Sequence, residues 1–362
     1  MADFKPLRVA VVGCGNISAA YGSSLKTKPD VVQIMGAFDV LTDQAKAFVN
    51  NYGSRVYEKI EDVIADPEVE VIINLTSHHA HAKVSSMALS AGKHVHSEKP
   101  LATTRSDGKM LLELAKKNNV RLSCSPFTFL GEAQQTVRKA IHDGAIGKPL
   151  MAYAEMNWSW IELWHPNPEG FHQPGAGPML DVGVYPLTIL TAILGPVLKV
   201  LGDASILIPE RTIGSGPKAG AKFKVTTPDQ VIGILTFASG CKARITTNFL
   251  GFSGQGGIEF HGETGSLILD SAVDFKSGIS VRSIGDKDWQ AIPYVIEPFG
   301  GVEWGRAIFE LAESLRKGTP QRCTGNQAYH VLDIFLSILD SADKGHSVNV
   351  ESTFDPPPPI SY

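Results

Sequence analysis

The chain lacks the features that would tie it to a membrane, a nucleic acid or an oxidising compartment. It has only four cysteines, Cys14, Cys124, Cys241 and Cys323. They lie far apart and none shows C-x-x-C spacing, which argues against a disulfide framework and a zinc knuckle. No apolar run is long enough to cross a bilayer, and the opening MADFKPLRVAVVG has no leader-like apolar segment. Charge of one sign is scarce: 33 Lys and Arg against 37 Asp and Glu give a net charge of −4. Such a balance offers no broad basic field to nucleic acid or anionic lipid. With 43% hydrophobic and 19% charged residues, the composition is that of an ordinary soluble globule. Its 362 residues exceed what one average core covers, so two domains are expected. The expectation is a reduced cytoplasmic enzyme with a small-molecule substrate.

What is present begins with alternation. LRVAVVG (7–13), VVQIMGAFD (31–39), VEVIINLT (69–76), HVHSE (94–98) and VRLSCSPFTF (120–129) read as short, nearly continuous apolar strands. Helical stretches separate them, among them LTDQAKAFVNNYG, HAKVSSMALSAGK and GKMLLELAKKNN. Strands of that kind alternating with helices imply a parallel sheet covered on both faces. After a helix near EAQQTVRKAIHDG the pattern changes and strands dominate. VIGILTFASGCKARITTNF reads as an antiparallel hairpin turning at Ser239–Gly240, and IEFHGETGSLILD as another turning at Gly262–Gly265. Two amphipathic helices follow, one carrying Trp304, Ile308, Leu311 and Leu315, the other Val331, Leu332, Phe335, Ile338 and Leu339. The tail DPPPPISY can form neither a helix nor a central strand. The fold class is therefore α/β: a Rossmann dinucleotide-binding domain over residues 1–125, then an α+β domain with a large open, mainly antiparallel sheet over 126–349. Residues 350–362 form an extended proline-rich arm.

GCGNIS (13–18) follows the first strand and opens the first helix. Gly13 permits a tight turn, Gly15 lets the backbone approach a pyrophosphate, and Ser18 is small enough for close helix packing. A helix N-terminus there offers free N–H groups to phosphate, which makes Asn16 and Ile17 part of the expected cofactor loop. Asp39 ends the second strand, 24 residues after Gly15, where a carboxylate hydrogen-bonds ribose hydroxyls. It favours NAD, since a carboxylate repels the 2′-phosphate of NADP and no arginine follows at 40–42. NADP stays possible. A structural glycine turn beside a surface aspartate is the plainer alternative.

VHSEKPL (95–101) puts Glu98, Lys99 and Pro100 at a strand's carboxyl end, where ligands bind in doubly wound sheets. Lys99 there can face the nicotinamide half of the cofactor and give a hydrogen bond or proton to a substrate oxygen. A solvated Lys–Glu pair is the alternative. In GAGPMLDVGVYPL (175–187), Asp181 and Tyr185 are four apart and would share a helix face, an arrangement suited to proton transfer. A capping Asp and a packed Tyr would have the same spacing. Pro186 fits a helix only if the helix starts close to it.

In order and spacing, GCGNIS, TSHHAH, AGKHVHSEKPLA and GPMLDVGVYPL resemble the Gfo/Idh/MocA family of glucose–fructose oxidoreductase and inositol dehydrogenase. The resemblance runs over nearly the whole chain. It implies hydride transfer between NAD(P) and a ring hydroxyl or carbonyl of a sugar, inositol or related polyol. It also implies a homodimer or homotetramer formed through the C-terminal sheet. Lys99 falls on the motif lysine and Asp181 on the motif aspartate. Tyr185 stands where inositol dehydrogenase-like members carry histidine, which resembles the glucose–fructose oxidoreductase branch and makes Tyr185 the expected acid/base. Ser77–His78 replaces a common Pro-Asn.

Cofactor contacts are also expected from Thr76, His81, Glu98 and Lys99. The histidines at 78, 79 and 81 have no carboxylate or cysteine spaced to complete a metal site, so no metal is expected. NWSWIELWHPNPEGFHQPG (157–175) crowds Trp158, Trp160, Trp164, His165 and His172 before Asp181. Aromatic faces suit the C–H faces of a sugar, so Trp158 and His165 are candidate substrate contacts beside Lys99, Asp181 and Tyr185. Packing of the loop on the sheet is the alternative. IPERTIGSGPKAGAK (208–222) reads as a flexible loop, a lid or an interface arm. Two other functions share the same cofactor site: an NAD-dependent glycosidase working by transient C3 oxidation, and a non-catalytic sugar-binding regulator.

Overall fold

A computed structural model describes residues 5–252 and 254–360. The first four residues, Ser253 and the last two residues of the expected arm lie outside them. In chain order the first elements are β1 (Leu7–Val12), α1 (Ser18–Leu25), β2 (Val32–Phe38), α2 (Thr42–Tyr52), α3 (Ile60–Ala65), β3 (Val71–Asn74), α4 (His81–Ser90), β4 (His94–Ser97), α5 (Arg105–Lys117) and β5 (Leu122–Cys124). All five strands run parallel in the order β2-β1-β3-β4-β5. β3 is buried at every position because helices cover both faces, which explains its unbroken apolar run. This is the Rossmann sheet expected from the sequence.

Next come α6 (Glu132–His142), β6 (Pro149–Asn157), α7 (Val184–Leu194), β7 (Val197–Ser205), β8 (Glu210–Thr212), β9 (Lys222–Lys224), β10 (Gln230–Phe237), β11 (Lys242–Asn248), β12 (Ile258–Gly262), β13 (Gly265–Leu269), β14 (Ile279–Ser283), β15 (Gln290–Ala291), α8 (Arg306–Lys317), α9 (Gly325–Lys344) and β16 (Val348–Asn349). Nine of these strands form one sheet in the order β15-β14-β13-β12-β6-β11-β10-β7-β16, antiparallel except for β6 beside β11. Both expected hairpins are present, and Gly240 turns the first with φ +88°. One sheet face is core, with Val231, Leu235, Ala243 and Ile245 buried; Leu201, Ile234 and Met151 stand exposed on the other. No helix among the described residues is long and apolar enough to cross a membrane.

The chain divides into two compact units. One runs to Phe127 and takes in Glu303–Tyr329; the other comprises Thr128–Val302 and the chain from His330. The segment 303–329, assigned from the sequence to the second domain, therefore packs with the first. Its ties are specific: Lys28 pairs with Glu303 at 2.9 Å, Ser24 Oγ accepts the Gly305 N–H, and Gln321 Nε2 donates to the Leu122 carbonyl. The segment 208–222 is not a structureless loop, because β8 and β9 make a small antiparallel ribbon at its ends. The final arm is extended and docked: Phe354 is buried, Asp333 accepts the Ser352 N–H, and Arg138 reaches the Pro357 carbonyl.

Each unit holds a buried neutral histidine. Burial pushes His96 down to about 4, and likewise His330. The Val197 N–H donates to His330 Nε2, which therefore carries no proton. A base whose folded pKa lies below its unfolded value of 6.5 binds more protons when unfolded. Its contribution is complete above about pH 6.5 and is lost as pH falls toward 4. The loss reaches about 3 kcal/mol per histidine at about 1.4 kcal/mol per unit. Urea unfolding at pH 7 and pH 5 is expected to show a lower midpoint at pH 5, with His96→Asn reducing the difference. An unchanged difference in that variant would remove His96 from the account.

Candidate functional site

In the first unit, β1 delivers the chain into the glycine turn. Gly13 has φ +92°, and a Cβ there would lie 2.7 Å from the Leu75 carbonyl and the Thr76 nitrogen. Only glycine fits that crossing. Gly15 faces open space, and both it and Asn16 are exposed. Ser18 is buried, and its Oγ donates to the Gly15 carbonyl at 2.7 Å, tying the turn to the start of α1. Among the described residues no main-chain acceptor takes the N–H of Gly15, Asn16 or Ile17. That loop fits a pyrophosphate: exposed amides at a helix N-terminus, with no side chain in the way.

Asp39 is half-buried at the end of β2. Its Oδ2 accepts the Cys14 N–H at 2.7 Å and its Oδ1 the Leu41 N–H at 2.8 Å. These bonds fix the carboxylate beside the glycine turn. A carboxylate has about four lone-pair sites, so two remain for vicinal ribose hydroxyls. The residues present therefore fit an adenine dinucleotide. Thr76, half-buried after β3, donates from Oγ1 to Asn74 Oδ1 at 2.7 Å.

Two of the expected cofactor contacts, His81 and Glu98, make hydrogen bonds within the first unit. The His81 ring is buried, with Nδ1 at 2.7 Å from the Pro100 carbonyl and Nε2 at 2.9 Å from the Thr76 carbonyl. Burial holds it below its ordinary pKa against the pull of those carbonyls, so its single N–H serves one of the two at a time. The ring thus joins the loop after β3 to the loop after β4. Glu98 is also buried. Tyr21 donates to its Oε1 at 2.6 Å, Ser125 donates to the same oxygen at 3.0 Å, and Oε2 accepts the Lys99 N–H at 3.0 Å. His96 lies behind this group, with Nδ1 at 2.9 Å from Ser123 Oγ. Lys99 is left half-buried between the buried Glu98 and Pro100, across a cis peptide. A glutamate beside the motif lysine is thus an internal anchor. Tyr21, contributed by the cofactor-loop helix, was not identified from sequence, because its partner lies 77 residues away.

In the second unit, Met179–Gly183 is a π-turn that runs directly into α7. Pro186 then falls in the first turn of α7, where a missing N–H is tolerated. From Ala176 to Ala192 every residue is buried except Asp181 and Tyr185, which are half-buried. Asp181 in the π-turn and Tyr185 in the first turn of α7 are thus the two partly accessible positions of that segment. Trp158 is exposed just after β6, and His165 is half-buried with its ring 4.9 Å from Phe171. His172 is fully buried, and its Nε2 lies 3.8 Å from Glu162.

Sequence reading missed Arg211. Its guanidinium is buried and bridges Glu162 and Asp229, each at 2.8 Å, with its plane 4.8 Å from the Trp160 ring. Burial pushes the Glu162 carboxyl up, but His172 and Arg211 together hold it below its ordinary value. Among the described residues no group of three or more His, Cys, Asp or Glu could hold a metal ion. His78 and His79 instead lie ring to ring, with centroids 4.0 Å apart.

Residues 7–125 match the oxidoreductase family with an NAD-binding Rossmann fold (Gfo/Idh/MocA), and residues 134–268 match the C-terminal domain of that family. The 1,5-anhydro-D-fructose reductase of Ensifer adhaerens is 26% identical over 351 residues, covering 95% of this chain and 99% of its own. The myo-inositol 2-dehydrogenase of Thermotoga maritima is 23% identical over 349 residues, with the same coverage of 95% and 99%. A levoglucosan dehydrogenase solved with NADH and L-sorbose superposes with a TM-score of 0.85 at 21% identity, over 96% of this chain and 99% of that one.

Proposed function

The chain belongs to the Gfo/Idh/MocA oxidoreductase family, and on that premise we propose that it oxidises a secondary hydroxyl of a sugar, inositol or related polyol, or reduces the matching ketone. The observation that carries the proposal is the presentation of Asp181 and Tyr185 alone from an otherwise buried segment. A carboxylate and a phenol offered together suit proton transfer to and from an alcohol oxygen. Relatives named as an anhydrofructose reductase and an inositol dehydrogenase support the substrate class.

Bound NAD supplies the hydride acceptor. The amides after Gly13 and the Asp39 carboxylate hold the cofactor, and Asp39 favours NAD over NADP. Lys99 gives a hydrogen bond to the reacting oxygen, its backbone set by Glu98. Tyr185 exchanges the proton, and Asp181 adds an acceptor for a substrate hydroxyl. In this proposal the enzyme is cytoplasmic and assembles as a homodimer or homotetramer. The partly apolar open sheet face, with Leu201, Ile234 and Met151 exposed, supports that assembly.

The test supplies NAD with pyranoses, inositols, anhydro-sugars and pyranosides and follows NADH. Net NADH is expected from one sugar class, with Tyr185→Phe lowering kcat by about 10²–10³-fold at unchanged NAD affinity. Cleavage of a pyranoside without net NADH would replace this reading with the glycosidase. NAD binding with no turnover would replace it with the regulator.

A further inference from the structure

At the carboxyl ends of the adjacent strands β6 and β11 lies a cleft of about 300 Å³. Its lining includes Asn157, Trp158, Trp164, Gly251, Phe252 and Gly254, and neither Asp181 nor Tyr185. Trp158 is 40% exposed, Trp164 53% and Phe252 76%. Trp158 and Trp164 meet edge to face at 6.2 Å, so the two indoles present faces in different directions. Large aromatic rings left in water like this are costly unless something covers them.

The cleft is built rather than loose. The Trp158 N–H donates to the Asn248 carbonyl, while Asn248 Nδ2 donates to Asn157 Oδ1 and Asn248 Oδ1 accepts the Leu250 and Gly251 N–H groups. Trp160 donates its indole N–H to the Leu250 carbonyl and stacks on Phe252 at 6.1 Å and 19°. Behind Trp160 sits the buried Arg211, held by Glu162 and Asp229. A surface fixed in this way loses little entropy on binding.

We propose that this cleft is a second carbohydrate subsite, which takes the non-reacting ring of a two-ring substrate, a neutral disaccharide or aryl glycoside. The inference rests on the oxidoreductase reading for the reacting ring and adds the second ring. Stacked aromatic walls match the C–H face of a pyranose, and the asparagines and glycine backbone at the edge match its hydroxyls. Among the described residues no lining side chain carries a charge. A phosphate or nucleotide would meet no cation here, because Arg211 is buried and already paired. The segment that carries Asp181 packs on β11: a Cβ at Gly183 would lie 2.8 Å from the buried Thr247 side chain, one residue before Asn248, which bonds the lining Asn157.

The experiment compares glucose and galactose with cellobiose, maltose, lactose and phenyl glucoside on the full-length protein. It reads kcat/KM with NAD and, separately, quenching of tryptophan fluorescence without turnover. The two-ring sugars are expected to exceed the single rings in kcat/KM by about three- to tenfold, the range of one good aromatic contact. Trp164→Ala should bring that ratio close to one and abolish the quenching by two-ring sugars. Phe252→Ala, altering a more exposed ring, is a second variant with the same expected direction. Turnover of single rings with no two-ring preference would overturn the subsite while leaving the oxidoreductase. Quenching that depends on Trp164 without any NADH would keep the subsite and overturn the oxidoreductase. A change of sedimentation in Trp164→Ala, with the substrate ratio intact, would make the cleft an interface between copies and overturn the proposal.

Discussion

Replacing Lys99 with alanine is expected to lower kcat by about a thousandfold while the NAD dissociation constant changes by less than about threefold. Lys99 lies two residues past the end of β4, on the carboxyl side of the parallel sheet, where such sheets bind their ligands. Its main chain is held independently of its side chain. The Lys99 N–H is taken by Glu98, and Glu98 is held in turn by Tyr21 and Ser125. Removing the ammonium therefore leaves the anchor in place, and the thermal midpoint should stay close to that of the unchanged protein. Lys99→Arg keeps the charge but spreads it over a planar fork that cannot occupy the same point. It should recover little of the lost rate. A fall in kcat of less than tenfold in Lys99→Ala would take Lys99 out of the mechanism.

The second large effect is on cofactor choice. Asp39→Ala should weaken NAD binding by about 10–100-fold, the scale of hydrogen bonds to a charged group, and weaken NADP binding less. Two losses combine in that variant. One is the pair of ribose contacts; the other is the bond from the Cys14 N–H, which steadies the glycine turn. Asp39→Asn separates them, because the amide keeps one acceptor oxygen for the turn but gives up the charge. Val40 is 86% exposed beside Asp39, so an arginine there disturbs no packing. Asp39→Ser with Val40→Arg should prefer NADP. Fluorescence titration with both cofactors reads the ratio directly, and an unchanged ratio across all three variants would remove Asp39 as the selector.

The Rossmann half was legible in the sequence because its signals are local. Buried parallel strands are short unbroken apolar runs, and the glycine turn and Asp39 sit at fixed offsets from them. The helical stretch that carries Asp181 and Tyr185 was legible for the same reason. What escaped depends on partners distant in sequence. The chain 303–329 returns to the first unit through contacts with Ser24, Lys28 and Leu122, which no periodicity encodes. Arg211 stands in a glycine- and proline-rich stretch that reads as a loop, and its partners Glu162 and Asp229 lie 49 and 18 residues away. His81 read from the sequence as a helix start or a cofactor contact, and it does open α4. Only the structure shows that its ring lies between the Thr76 and Pro100 carbonyls.

The central claim is hydride transfer from a sugar carbon, and isotope transfer tests it most directly. The protein is given NAD and a panel of ring-deuterated pyranoses and inositols, and the reduced cofactor is weighed by mass spectrometry. The account predicts reduced NAD one deuterium heavier with one sugar class, and no such product from Lys99→Ala above about a thousandth of the rate. Reduced cofactor without deuterium, or none from any sugar while NAD remains bound, would contradict it.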